Sequence, residues 1–222
     1  MIPFENEPAF VLYRRPYKEN NYLIDIFTLN LGFFCIIARI QNAKTHRKTN
    51  SYSPFCLLHI SGHRKGELAS VWQAEVQYDF TPKPAQLLSA HYLNETLLGL
   101  LPPDEPAPAV FHQYLLALQQ TSGLALRQFE HTLLIYLGLL PEIEQDADFY
   151  HLDLSGDTAT LRPASRGYSR QNLTRLLSEH PDWQHPETRQ LLQSLVRFYS
   201  HHRAETKKTA IALRQLLQPL PT

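Results

Sequence analysis

What the chain has little of narrows its chemistry first. Glycine occurs only eight times in 222 residues and nowhere as a Gly-rich loop, which argues against a backbone cradle for phosphates. There are two cysteines, Cys35 and Cys56, and no CxxC pair. A four-thiolate zinc site and a disulfide framework are therefore both excluded, and each cysteine lies in an apolar run where it behaves as a small hydrophobe. HExxH and GxSxG are missing as well, leaving no signature of a metalloprotease or a serine hydrolase. Acid pairs such as Asp104/Glu105 and Glu142/Glu144 sit in polar loops and read as solvated surface. The eleven histidines are scattered, and the adjacent His201 and His202 lie on an expected helix, where sequence neighbours do not face each other. Neither an enzyme nor a bound cofactor or metal is expected. No apolar run approaches the ~18–20 residues that span a bilayer, and MIPFENEPAF lacks the basic start and apolar core of a signal peptide. The expectation is a cytoplasmic protein with no membrane partner.

What is present is charge, sorted by sign. The composition, 43% hydrophobic and 19% charged, is that of an ordinary globular chain, long enough for one large domain or two small ones. The formal net charge is zero. Residues 9–66, however, hold nine Lys/Arg against Glu19 and Asp25, whereas 67–150 hold eleven acids against Lys83 and Arg127. Residues 151–222 return to a surplus, with ten cations and six acids. A basic module followed by an acidic one points to nucleic acid at one end, unless folding mixes the blocks on the surface.

Residue periodicity divides the chain in the same place. Residues 9–15 form a β-prone run stopped by Pro16; 22–29, 33–40, 55–61 and 67–78 are four more, with a polar basic connection, QNAKTHRKTNSYSP, before the fourth. GHRKG at 62–66 reads as a glycine-bracketed turn. Five short strands with one long connection fit a Greek-key barrel of the OB type, and an SH3-like barrel equally. From 85 onward apolar residues recur at helical spacing over 85–101, 109–120 and 124–137. Alternation around Ser155-Gly156-Asp157 predicts a hairpin over about 149–162. Helices are expected over 170–179 with Ser169 as N-cap, over 186–203 beginning at Pro186, and over 205–218. The fold class is α+β: a five-stranded barrel over 1–80 as the nucleic-acid-binding domain, then a helical domain with one small β-hairpin over 81–222.

Clustered Lys and Arg bind a phosphate backbone without strict geometry, because each neutralised phosphate releases counterions. Arg14, Arg15 and Lys18 flank the first turn, Arg39 leads into the long loop, and Lys44, Arg47 and Lys48 lie in it beside His46. Single-strand binding also calls for aromatic faces. Tyr13, Tyr17, Tyr22 and Tyr52 lie among these cations, with packing in the core or at the barrel rim as the other reading. In the helical part Arg127 sits beside an apolar stripe of Leu126, Leu133 and Leu137. That suits either a carboxylate clamp at a peptide-binding groove or an internal ion pair with a nearby acid.

The order of motifs resembles the RecO family of bacterial DNA repair proteins. AFVLYRRPYKENNYLIDIFTLNLG is similar to that family's opening, with matches at Arg15, Pro16, Tyr17, Glu19, Asp25, Phe27, Thr28 and Gly32. SPFCLLHI, GELASVWQAEV, HYLNETLLGLL and LRQFEHTLLIYLGL resemble its later segments in the same order. The resemblance implies an N-terminal OB-fold, a helical domain, and a recombination mediator of the RecF pathway that hydrolyses no nucleotide. It implies binding of single- and double-stranded DNA, annealing of complementary strands, RecR as partner, and recombinase loading on DNA coated with single-strand-binding protein. It also implies nucleoid association and capture of that protein's C-terminal tail by Leu126, Arg127 and Leu133, with Arg127 at the position of the family's tail-binding arginine. Two features depart from the family pattern. Ala38-Arg39-Ile40-Gln41-Asn42 keeps a cation but loses a glycine after the third strand, and the hairpin region has no cysteine, as in a zinc-free member. The alternative is an OB-fold single-stranded nucleic-acid-binding module unrelated to recombination.

Overall fold

Alternating apolar residues over the first 80 positions build five strands: β1 (Ile2–Tyr17), β2 (Asn21–Thr28), β3 (Gly32–Arg39), β4 (Cys56–Lys65) and β5 (Leu68–Asp79). The computed structural model describes residues 2–18, 21–39, 52–65, 68–178, 181–183 and 185–216, with side chains except at 2, 39, 65, 68 and 203–216. The expected basic connection with Lys44, Arg47 and Lys48 lies outside the described residues. Strand order is β1-β2-β3-β5-β4, closed by pairing of β4 with β1. All neighbours are antiparallel except β3 and β5, which run parallel. That order separates the two barrels the periodicity had left open and gives an OB-fold.

Period-two alternation decides what fills the barrel. Ala9, Val11, Ile24, Ile26, Phe34, Ile36, Ala38, Leu58, Ile60 and Ala69 point inward and are buried, with Phe4 and Cys56. Burial pushes the thiols of Cys35 and Cys56 up to about 11, so both behave as small apolar groups. Gly32 is required where it stands. Its φ is +77°, and a Cβ there would lie 2.4 Å from the Glu105 carbonyl oxygen, beside a backbone bond from Asp104 N–H to the Phe33 carbonyl.

Three boundaries differ from the periodicity reading. β1 does not stop at Pro16; it pairs through Pro16↔Tyr22 to Tyr17↔Asn21. β4 flanks β1 only over Ile2–Phe10, so Pro16 has a partner strand on one side alone, where a missing N–H is tolerated. GHRKG is not a turn as a whole: Gly62, His63, Arg64 and Lys65 continue β4 opposite β5. The two helices expected at 186–203 and 205–218 are one, α5 (Pro186–Leu216), because nothing between Arg203 and Glu205 is a helix breaker.

The chain divides into two compact units, Met1–Phe129 and Glu130–Thr222. In the first, α1 (Leu87–Leu100) and α2 (Pro108–Gln120) follow the barrel. Phe10 and Phe27 point out of the barrel yet are fully buried. Phe111 of α2 lies 5.0 and 5.4 Å from their ring centroids, and Tyr114 lies 4.9 Å from Phe10. β1 bulges between Val11 and Tyr13, leaving Leu12 out of register with β2. The Leu12 carbonyl accepts from Asn94 Nδ2 at 2.8 Å, and Asn94 Oδ1 accepts from the buried Tyr114 hydroxyl at 2.5 Å. Complete burial pushes the Tyr114 phenol far up, keeping it a proton donor at any working pH.

α3 (Gly123–Tyr136) runs across the division. The second unit contains the expected hairpin as β6 (Phe149–Asp153) and β7 (Thr160–Ala164), joined by an unforeseen short strand, β8 (Tyr168–Ser169). Ser169 caps α4 (Arg170–Leu176) by accepting from the Asn172 N–H. His131 is buried; its Nε2–H donates to the Leu176 carbonyl at 2.8 Å, and Trp183 meets the ring edge-on at 5.3 Å.

These buried polar groups set two expectations for stability. Asn94→Ala leaves the Leu12 carbonyl and the Tyr114 hydroxyl unpaired and costs about 2–5 kcal/mol in urea unfolding; Tyr114→Phe costs less, because it removes a single bond. Burial lowers the His131 pKa below the ordinary 6.5, although the Leu176 carbonyl opposes this. The folded state then binds fewer protons than the unfolded one, so stability is full above pH ~6.5 and falls as pH drops through the lowered folded pKa. His131→Gln keeps a donor for Leu176 and flattens this acid-side decline of the melting temperature.

Candidate nucleic-acid interface

The β1 bulge sets which way the first group of cations faces. Val11 and Leu12 are buried, whereas Tyr13, Arg14, Arg15 and Pro16 after the bulge are exposed. Beyond it, strand parity sends the two arginines to opposite faces. Arg14 pairs with Ile24, an inward position, so it sits at the barrel mouth with its guanidinium 5.9 Å from the Tyr22 ring centroid. Lys18 has a left-handed φ of +41°, and its carbonyl accepts from Asn21 N–H at 2.9 Å, which sharpens the turn. Its ammonium lies 5.4 Å from the Tyr17 ring. Both are cation–π contacts at a solvated edge, which hold the charges forward without neutralising them.

Arg15 takes the outer face. Its Nη1 donates to Asp25 Oδ2 at 2.6 Å. Burial alone would lower the Arg15 pKa, but the hydrogen bond and charge of Asp25 outweigh it and raise it. Asp25 thereby finds the paired position that a carboxylate in an apolar strand requires, and Arg15 is partly compensated. Arg39 ends β3, where it pairs with Asn21 of β2. Among the tyrosines, Tyr22 and Tyr52 pack against the barrel core, Tyr17 is half-buried, and Tyr13 is exposed.

Register joins these positions across the sheet. Arg15 pairs with Leu23, Leu23 with Ile37, Ile37 with Ser70 and Ser70 with His63. That continuous outward row crosses all five strands and spans roughly 19 Å at ~4.8 Å per strand step. Four of the seven candidate cations, Arg14, Arg15, Lys18 and Arg39, thus belong to one end of one barrel. Arg64, part of the same basic window, is engaged elsewhere: it pairs with Asp104 and lies 5.1 Å from the Phe34 ring centroid. Periodicity did not single out His63 or Trp72, which stand at the β4–β5 end of this face.

The other candidates lie on α3. Leu126 is half-buried, Arg127 is 9% exposed, and Leu133 has no accessible surface. Any peptide contact there would fall to Leu126 and Arg127, with Leu133 acting as packing. Glu130, three residues beyond Arg127 on the same helix, is fully buried. Among the described residues no three His, Cys, Asp or Glu gather in a way that could hold a metal ion, and no helix is long and apolar enough to cross a membrane.

Comparison with known proteins accounts for both parts of the chain. The family model for the recombination protein O N terminal region matches residues 1–80, and that for the recombination protein O C terminal region matches 83–210. A DNA repair protein RecO from Nitrosococcus oceani is 36% identical over 186 residues, covering 78% of this chain and 70% of that protein. The namesake from Polaromonas naphthalenivorans is 37% identical over 170 residues, covering 71% of this chain and 62% of the relative. For that from Marinobacter nauticus the figures are 34% over 143 residues, 60% and 58%. The chain thus spans between about three fifths and seven tenths of the length of these relatives. On these matches, which run through both the barrel and the helical part, the chain belongs to the recombination protein O family.

Proposed function

We propose that the chain acts in DNA repair and homologous recombination as a mediator of the RecF pathway type. It binds single- and double-stranded DNA, anneals complementary strands and helps load recombinase onto DNA coated with single-strand-binding protein. The observation that carries this reading is the outward sheet row that begins at Arg15, beside Arg14 and Lys18 on the β1–β2 edge. The faces of strands two and three and the adjoining turns are where OB barrels bind oligonucleotides. Residues 1–80 form the nucleic-acid-binding domain and 81–222 the helical domain. Arg14, Lys18 and Arg39 contact phosphates with Lys44, Arg47 and Lys48, and Arg15 contributes less because Asp25 shares its charge. The task is one of holding and pairing strands, with no bond made or broken by the protein.

The partners in this reading are RecR and single-strand-binding protein, whose acidic, apolar C-terminal tail α3 takes through Leu126 and Arg127. A guanidinium suits a terminal carboxylate.

Annealing of complementary strands coated with the cognate single-strand-binding protein, with and without its tail, tests the function; absence of annealing in both removes the mediator reading. Charge reversal of Arg14 and Lys18 lowers DNA affinity and flattens the slope of log K against log salt by about 0.7–0.9 for each phosphate left without its cation. The same is expected for Lys44, Arg47 and Lys48, and an unchanged slope would place the DNA elsewhere. Arg127→Ala weakens binding of a tail peptide by about 1.5–3 kcal/mol in calorimetry. Full affinity in that variant would leave Arg127 a purely structural role.

A further inference from the structure

Trp72 is the large aromatic that the barrel does not use. It is 60% exposed, although most tryptophans bury the greater part of their surface. Trp72 shares the outward parity of Ser70, two residues before it on β5. Ser61 pairs with Gln73 and Gly62 with Val71, so Trp72 falls in a bulge and has no partner on β4. Gly62 makes the bulge feasible: a Cβ there would lie 2.3 Å from the Ser70 carbonyl oxygen and 2.6 Å from the Phe4 ring. On the outer side His63 supports the indole, with centroids 5.8 Å apart and planes tilted by 31°.

The surroundings point to the ligand. His63 closes the outward row that starts at Arg15. The last β3–β5 pair is Ile37↔Ser70. Arg39 and Trp72 each stand two residues further along these two parallel strands, and Arg39 pairs with Asn21, which pairs with Tyr17 next to Lys18. An exposed aromatic on the strand next to one that ends in a cation, in a sheet that carries further cations on β1, matches the requirement of single-stranded nucleic acid, whose bases stack while its phosphates are neutralised. A duplex keeps its base faces covered and could not use the indole in this way.

We propose that Trp72, supported by His63, is a base-stacking platform for single-stranded nucleic acid at the β5 end of the barrel's outward face. This rests on the nucleic-acid reading of the barrel, and the test separates the two. Trp72 and Trp183 are the two tryptophans of the chain, so Trp183→Phe makes Trp72 the sole indole reporter. Titrating that full-length variant with oligothymidylate is expected to quench Trp72 emission in step with binding measured by anisotropy of a labelled strand. In a second arm, Trp72→Ala loses roughly five- to a hundredfold in affinity for the oligonucleotide, Trp72→Phe recovers most of it, and the salt slope and duplex affinity stay unchanged. Binding with no change in Trp72 emission, and full affinity in Trp72→Ala, would overturn the platform while leaving the DNA reading intact. Failure of the parent protein to bind either strand form would overturn both. The fluorescence arm needs no alteration at Trp72, so it decides the matter even if Trp72→Ala folds poorly.

Discussion

One side chain, Asn94, holds together the features on which the candidate interface depends. A bulge in β1 leaves a carbonyl at Leu12 out of the ladder, and a buried carbonyl without a partner is costly. Asn94 supplies the donor, and Tyr114 in turn satisfies the amide oxygen. The bulge is therefore fixed by two helices that lie outside the barrel. Without it, strand alternation would continue through Arg14 and Arg15 in the register set by Ala9 and Val11, and each side chain would change face. The position of the cations is thus decided by an amide some eighty residues away in sequence.

The division between Arg14 and Arg15 follows from the same shift. Adjacent residues on a strand must part company, so two arginines in sequence cannot form one patch of doubled charge. One lies over Tyr22 at the barrel mouth; the other is held by Asp25 on the outer face. Fixing the cations on a closed sheet lowers the side-chain entropy lost on binding. Electrostatic affinity that accrues from separate phosphates does not need the charges adjacent. It needs them spaced along a surface, as Arg14, Arg15 and Lys18 are along the β1–β2 edge.

Much of the fold was legible because the barrel obeys period two and the helices period 3.6. The five strands, the hairpin, the Ser169 cap and the Pro186 start all stand near where local pattern puts them. What pattern missed depends on long-range packing. Gly62 read as a turn glycine, yet its task is to let the β5 backbone and the Phe4 ring come close. Pro16 read as a stop, yet a strand with one open side accommodates it. The split of the last helix was an overcautious reading of a polar stretch with no breaker in it. At the site, the charge surplus revealed which segment holds the cations but not which of them the protein occupies itself: Arg15 and Arg64 both meet acids, Asp25 and Asp104, that lie far from them in sequence.

Trp72 shows how a weak signal in the sequence becomes specific once register is known. The inward residues of β5 include Val71 and then Ala74, a step of three where a regular strand steps by two. Such a step marks a bulge, and the residue inside it that is largest and apolar is the tryptophan. Exposing an indole to water forgoes stabilisation on the order of 1.5–3 kcal/mol that burial of a large apolar side chain would give. Here the forfeiture is compounded by a glycine that must stay a glycine opposite the bulge. The two bulges differ in effect: the one at Leu12 changes the faces of Arg14 and Arg15, whereas the one at Trp72 leaves the indole on the outward parity of Ser70 without a partner on β4. The first sets where charge stands and the second leaves an aromatic face open, a combination that the proposed single-stranded ligand would use.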